Sequence, residues 1–313
     1  MAKSKSNSKL TLFFKGDLWY SFTKSPTAII SFRLTILCLF AAFSAQLIAP
    51  YDIFDLAAID LMNADLPPIW ATFDGYIGDS RFILGTDDQG RDIWSGILYG
   101  AQISIFVGFT SVIISAVIGI SLGLIAGYNG GRIDSFIMRV ADIQLSFPAI
   151  LVALLVDGVM RGLLPREVHD ELAIYVLIFA ISISGWVQYA RTIRGSVMVE
   201  KNKEYVQAGQ VIGLPKRIIA IKHILPNVLS PIFVIGTIHL ASAIITEATL
   251  SFLGVGMSPT TPSLGTLIRI GNEYLLSGEW WITLFPGAAL VILVLSVNIF
   301  GDWLRDALNP KLR

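Results

Sequence analysis

The chain has 313 residues, of which 54% are hydrophobic and only 15% charged, with a mean hydropathy of +0.68. A soluble domain carries about a quarter charged residues, so the composition excludes one and indicates an integral membrane protein. Basic and acidic residues balance at 23 each, which argues against a nucleic-acid partner, and the single cysteine, Cys38, rules out an intrachain disulfide.

Residues 1–26 read as a polar cytoplasmic tail with a short amphipathic piece around Leu10–Phe22. The first apolar run, Ala28–Ile48, is long enough to cross a hydrocarbon core, which takes about 20 helical residues. Its long leader, its length and the lack of a clear A-x-A site predict an uncleaved span rather than a signal peptide. An external segment follows, from Pro50 to about Gly100. It is dense in aspartate from Asp52 to Asp92 and contains Pro67-Pro68 and several glycines. Such turn chemistry predicts a loop, either solvated or offered to an external partner. Residues 27–100 thus hold the first span and its loop.

Residues 101–313 supply five more spans, near Ala101–Ala126, Phe136–Val156, Leu172–Ala190, Ile232–Val255 and Trp281–Ile299. The expected fold is an all-α integral membrane protein with six transmembrane helices and both ends on one side. With the N-terminus inside, 18 of the 23 Lys and Arg residues lie on cytoplasmic segments. Only Arg81, Arg91, Arg161, Arg166 and Arg269 lie outside. The positive-inside rule therefore fixes N-in, C-in.

Within the second span, Ser115, Gly119, Gly123 and Gly127 recur at every fourth position, preceded by Gly108 and Ser111. Small residues on one helix face let another backbone approach closely. The stripe serves packing or, alternatively, a sliding hinge or pore face. In the fifth span Glu247 interrupts an apolar run. An ionisable group there must face protein or water, so it is a pathway or gate group or else a helix-to-helix hydrogen bond. His239 lies eight residues earlier, a little over two turns along the same face. A lone histidine in a bundle more often packs as a hydrogen-bonding partner.

Between the fourth and fifth spans lies a cytoplasmic segment, residues 200–227. Its pattern predicts a helix over Glu200–Ile212 with Tyr205, Ala208, Gly209 and Ile212 on one face. Glu204 suits the positive end of that helix. Gly213 can end it in a left-handed cap, and Pro215 follows as a stop. A second basic helix, Lys216–Leu225, leads to Pro226-Asn227 and back into the membrane. A helix–turn–helix flanked by spans can transmit displacement to them. An amphipathic helix resting on anionic lipid fits the same residues.

Several motifs carry a resemblance. Glu204-Tyr205-Val206, Ala208 and Gly213, followed by Lys222–Asn227 (KHILPN), resemble the cytoplasmic motif of binding-protein-dependent ABC importer permeases. Three further segments are similar to the dipeptide/oligopeptide permease subfamily: Gly85-Thr86-Asp87 with Gly90-Arg91-Asp92; Tyr99-Gly100-Ala101; and Glu247–Gly256 with Pro259, Pro262-Ser263 and Gly265. The extra first span fits that subfamily's "C" type subunit. Two departures stand out. The family's Glu-Ala-Ala reads Gln207-Ala208-Gly209, and Leu264 replaces a common Trp.

The resemblance implies a type I ABC importer permease fold in the bacterial cytoplasmic membrane, forming half of a translocation pathway. It implies that Glu204, Tyr205, Ala208, Gly209 and Gly213 belong to a coupling helix that docks on an ATPase. The implied partners are a homologous second permease, two ATP-binding subunits and a periplasmic or extracellular solute-binding protein, with membrane lipid around them. Peptides are the implied substrates, although close relatives carry nickel, glutathione or glycosides. The chain itself has no G-x-x-x-x-G-K-[ST] loop, so ATP and Mg are expected on partner subunits and no cofactor here. His169, His223 and His239 are scattered, so no metal site is expected, and without a nucleophile elbow or an H-E-x-x-H motif no enzyme is expected either. The alternative is an ion-gradient-driven secondary transporter using Glu247. A membrane-embedded enzyme would need paired polar groups within spans, and only Glu247 and His239, on one helix, are available.

Overall fold

The computed structural model describes residues 17–55 and 59–308. The tail before Asp17, including the first part of the expected Leu10–Phe22 piece, lies outside them. Helix α1 (Asp17–Lys24) is the described remainder of that piece. Helix α2 (Pro26–Phe43) begins where Ser25 Oγ accepts from Ala28 N and Pro26 fills the first turn. One further turn, Ala45–Ile48, completes the expected first span.

The external segment is exposed over much of its length and packed where it approaches the second span. It contains a small hairpin, β1 (Thr72–Phe73) with β2 (Tyr76–Ile77), paired antiparallel. Thr86, Asp87, Arg91 and Asp92 are all buried. Asp87 Oδ2 accepts from Arg91 Nε at 2.7 Å, its Oδ1 from Arg91 N at 2.9 Å and from Gln89 N at 3.0 Å. The positive φ of Gly85 and Gly90 allows this knot to close. Asp92 then caps helix α3 (Ile93–Asn129) by accepting from Ser95 N at 2.8 Å. The segment is the loop that its acid density suggested, and these carboxylates serve within it as caps and ion-pair partners.

Helix α3 is about 55 Å long at 1.5 Å per residue, so it overruns both membrane faces. The expected third span, Phe136–Val156, is instead two helices, α4 (Gly131–Leu145) and α5 (Ala149–Leu163), bent by 92°. Pro148 causes the break: it disfavours helical geometry at Phe147 and cannot donate to the ladder. Helix α6 (Arg166–Glu200) extends well past the expected Leu172–Ala190. Its cytoplasmic end is sustained by ion pairs to α4, Arg194 to Asp134 at 2.6 Å and Arg191 to Asp142 at 2.5 Å.

Helices α3 and α6 form the most extensive pair. Ser111 Oγ donates to Ile178 O at 3.3 Å and Ser115 Oγ to Ser182 O at 3.0 Å, an offset of 67 residues in both. Gly119, Gly123 and Gly127 sit against the carbonyls of Trp186, Ala190 and Arg194, keeping the same offset. A constant offset means the two helices are parallel. The chain must therefore recross between Asn129 and Arg166, and the bent pair α4–α5 makes that crossing. With it, the five long apolar helices become six spans.

Helix α8 (Ser230–Phe252) stops short of the expected Val255. Gly254 takes a left-handed φ of 78°, and Val255 N donates to Leu250 O at 3.0 Å, a Schellman ending. Helix α9 (Leu264–Tyr274) is capped by Ser263 Oγ, and α10 (Trp280–Leu308) runs back to the inner side. Phe22 of α1 packs on Trp303 of α10 with ring centroids 5.1 Å apart. The two described ends therefore meet at one end of the bundle, as an even number of crossings demands.

Candidate functional site

The cytoplasmic segment is built on the end of α6. Lys203 is extended, with ψ at 151°, so Glu200 closes α6 and a separate helix α7 (Glu204–Val211) begins. The expected single helix from Glu200 is thus divided. Glu204 occupies the first turn of α7, at the positive end of its dipole. Val206 is fully buried, in a cluster with Ile193 and Val197 of α6 and with Ile219 and Ile224. Gly209 faces inward beside it. Ala208 and Ile212 point the other way with Val211, which is 88% exposed; Ile212 is 76% exposed. The expected face of Tyr205, Ala208, Gly209 and Ile212 is therefore split, because the turn at Lys201–Lys203 makes Val206 the inward anchor.

A Cβ at Gly209 would lie 3.6 Å from Leu214 and 3.7 Å from Ile219, ordinary contact distances. Gly209→Ala should therefore be accepted and should strengthen the helix by about 0.5–1 kcal/mol. A raised melting temperature with transport retained is the expected result in a thermal-shift and uptake assay; a lowered one counts against this packing.

Gly213 ends α7 at φ 83°. Gly213 N donates to Gln210 O and Leu214 N to Gly209 O, each at 3.0 Å. This is a full Schellman motif, and it turns the chain towards Pro215. Residues Lys216–Ile218, a π-turn at Ile219–Ile224 and Leu225–Val228 then form one helical run to α8. The expected basic helix thus extends past Leu225. Pro226 has no N–H to give to the turn before it, which accounts for the widened π geometry.

Glu200, expected only as a helix start, and Asn227, expected only as the end of the KHILPN motif, join α7 to both flanking elements. Tyr205 Oη donates to Glu200 Oε1 at 2.8 Å, and Asn227 Nδ2 donates to Tyr205 Oη at 3.2 Å and to His223 O at 2.8 Å. Burial, opposed by the Asn227 bond and helped by the Glu200 carboxylate, holds the Tyr205 hydroxyl above its ordinary pKa, so it stays a donor. Lys201 Nζ caps α3 by donating to Gly127 O at 2.9 Å. Tyr205→Phe should loosen this junction by up to about 1 kcal/mol and raise proteolysis at Lys201–Lys203; an unchanged cleavage rate would sink the clamp.

Glu247 is 0% exposed. Ser251 Oγ donates to its Oε1 at 2.7 Å, and the hydroxyls of Ser104 on α3 and Ser263 before α9 lie beside the carboxyl. Ser104 Oγ also accepts from Leu264 N at 3.3 Å. The group sits where α3, α8 and α9 meet, and its Oε2 is buried without a hydrogen-bond partner. His239 Nδ1 is 3.0 Å from Tyr189 Oη on α6, so its partner is Tyr189 and not Glu247. The two external motifs also meet: Arg91 Nη1 donates to Pro259 O at 2.8 Å. Gly265 packs against Ala248, where a Cβ would be only 2.3 Å from the carbonyl oxygen.

Comparison with known proteins agrees with this arrangement. Residues 119–313 match the family described as "Binding-protein-dependent transport system inner membrane component". The chain is 38% identical over 297 residues to the dipeptide transport system permease protein DppC of Haemophilus influenzae, covering 95% of each chain. It is 36% identical over 306 residues to the oligopeptide transport system permease protein OppC of Bacillus subtilis, covering 98% of this chain and 92% of that one. A solved chain of the MetNI methionine ABC transporter, inward facing, superposes with a TM-score of 0.52. It is 21% identical and covers 67% of this chain and 94% of its own, a likeness of fold alone. The chain belongs to the family of binding-protein-dependent ABC importer permeases, in the dipeptide/oligopeptide subfamily, and has the type I permease fold.

Proposed function

We propose that this chain is the C-type permease subunit of an ATP-driven peptide importer in the bacterial inner membrane. It forms half of the pathway, and a homologous permease supplies the other half. The observation that carries the reading is the geometry of α7. An exposed apolar face (Ala208, Val211 and Ile212) stands on a helix whose opposite face is buried in the spans. A surface of that kind suits docking on an ATPase subunit. Two such subunits would bind ATP and Mg, and a solute-binding protein would deliver substrate from outside. Glu204, Tyr205, Ala208, Gly209 and Gly213 form or support the docking helix. ATPase closure moves α7, and its burial among α3, α6 and α8 passes that displacement to the pathway. The bias comes from different ATPase contacts in the inward- and outward-open states.

Peptide substrates rest on the names of the relatives above. Competition of labelled dipeptide uptake by unlabelled dipeptides, glutathione and nickel separates the candidate cargoes. Uptake that vanadate stops and a protonophore spares supports the ATP-driven reading; the reverse pattern overturns it. Glu247→Gln gives a second test. As a buried cross-link faced by serine hydroxyls, Glu247 should tolerate the neutral isostere with uptake kept within about twofold, a barrier change near 0.4 kcal/mol. Loss of uptake with normal membrane abundance would return Glu247 to the role of a proton site.

A further inference from the structure

We propose that one anionic phospholipid of the inner leaflet binds between the cytoplasmic foot of α3 and the helical run 216–228, with its phosphate on Lys216 and Arg217 and its acyl chains on the apolar wall above them. Two cavities carry this. One, of about 660 Å³, is lined by Ile120, Leu124 and Ile125 of α3 and by Ile221 and Leu225 of the run. Lys216 and Arg217 stand at its polar end. The other, of about 570 Å³, shares Tyr128, Asn129 and Lys216 with the first and is lined further by the amides of Asn202, Gln207 and Gln210. Both volumes are typical of ligand sites. An apolar compartment and a polar one that meet at Lys216 fit an amphiphile, tails in the first and headgroup in the second.

Charge selects an anionic headgroup. Lys216 and Arg217 are both exposed, and neither makes an ion pair or a side-chain hydrogen bond among the described residues. No residue lining either cavity is acidic. The third cation there, Lys201, is already engaged by Gly127 O. Each uncompensated cation on the inner face adds about a factor of five in affinity for an anionic lipid. Arg217 also brings the planar fork that matches a phosphate. Depth selects a lipid over a soluble subunit. Ile120 lies nine residues, about 14 Å, above Asn129 at the cytoplasmic end of α3, deeper than a subunit on the inner face reaches. Phe106, Phe109, Ile113, Val117 and Ile125 are each between 44% and 59% exposed. Their helical spacing makes one apolar stripe that descends α3 to the cavity. Ser121, within that stripe, donates Oγ to Val117 O at 2.7 Å and leaves the acyl chains no free donor. A lipid seated here ties the foot of α3 to the run between α7 and α8.

Native mass spectrometry of the full chain, stripped of lipid in detergent and titrated with phosphatidylglycerol or phosphatidylcholine, tests this. One phosphatidylglycerol should bind in preference to phosphatidylcholine. Lys216→Gln with Arg217→Gln should weaken that binding about thirtyfold. Arg132→Gln with Arg139→Gln removes equal exposed charge from α4, outside both cavities, and should leave it unchanged. Ile125→Gln keeps both cations yet should still weaken phosphatidylglycerol, because it removes part of the apolar wall. Equal binding of the two lipids, or equal losses in the two charge variants, overturns the proposal. So does displacement of the lipid by inorganic phosphate, which assigns the cations to a free anion. Absence of the lipid from the transporter isolated intact from its membrane, with Ile125 instead cross-linking to the homologous permease, assigns the groove to that partner and overturns it too. Binding is read without transport, so failure here leaves the peptide-import reading standing.

Discussion

Gly213→Pro should abolish uptake while leaving the protein in the membrane at the wild-type level. Proline requires φ near −65° and has no N–H, whereas Gly213 sits at 83° and donates to Gln210 O. The Schellman ending of α7 cannot form, so the exposed face of Val211 and Ile212 loses its fixed direction. Nothing lies within 4 Å of a Cβ built at Gly213, so the damage is to backbone geometry and not to packing. The spans on either side keep their own cores, which is why insertion should survive. Gly213→Ala grades the effect. It retains the N–H but strains the left-handed position by roughly 1–2 kcal/mol, so uptake should fall partway. Uptake in cells, set against membrane abundance by immunoblot, reads both. Wild-type uptake by the proline variant would mean that displacement does not pass through this turn.

Substitution on the α3–α6 seam should have the opposite pattern, loss of folded protein rather than loss of coupling. A Cβ at Gly119 would lie 2.4 Å from Trp186 O and 2.5 Å from Tyr189 Cβ, and one at Gly123 would lie 2.5 Å from Ala190 O. The obstructing atoms are largely backbone and cannot rotate away. Each alanine should cost about 1–3 kcal/mol by overpacking, and Gly119→Ala with Gly123→Ala on one interface should not be simply additive. Membrane abundance and resistance to detergent extraction measure the outcome. Gly158→Ala on α5, with open space within 4 Å, is the matched control and should behave as wild type. Equal abundance of the seam variants and the control would show that close approach of α3 and α6 is not needed.

The spans were legible because composition dictates them, and the turn at Gly213 because one glycine and one proline announce it. The small-residue stripe announced an interface but not its partner. Nothing local says that Gly119 meets Trp186 or that the two helices run in the same direction. The break in the third span had a local signal in Phe147-Pro148, submerged in the averaged hydropathy of an apolar window. The extension of α6 was hidden for a different reason. Arg191 and Arg194 look like a cytoplasmic boundary until Asp142 and Asp134 arrive from α4 to pair with them. Glu247 shows the same limit: Ser251, one turn away, was visible, whereas Ser104 and Ser263 come from distant stretches. The face of α7 was misjudged because periodicity says which residues share a face but not which face meets the spans; Val206 and Gly209 turn inward, and Ala208 and Ile212 turn out.

The shared register of α3 and α6 also restricts how the molecule can change shape. Sliding one helix past the other by a single rise of 1.5 Å would drive Gly119, Gly123 and Gly127 off the carbonyls they rest on. These two rods, with α7 clamped at their inner end, must travel as a single beam. Flexure then falls to joints outside that beam, among them the right-angled elbow between α4 and α5 and the short interruption at Leu229 where α8 begins.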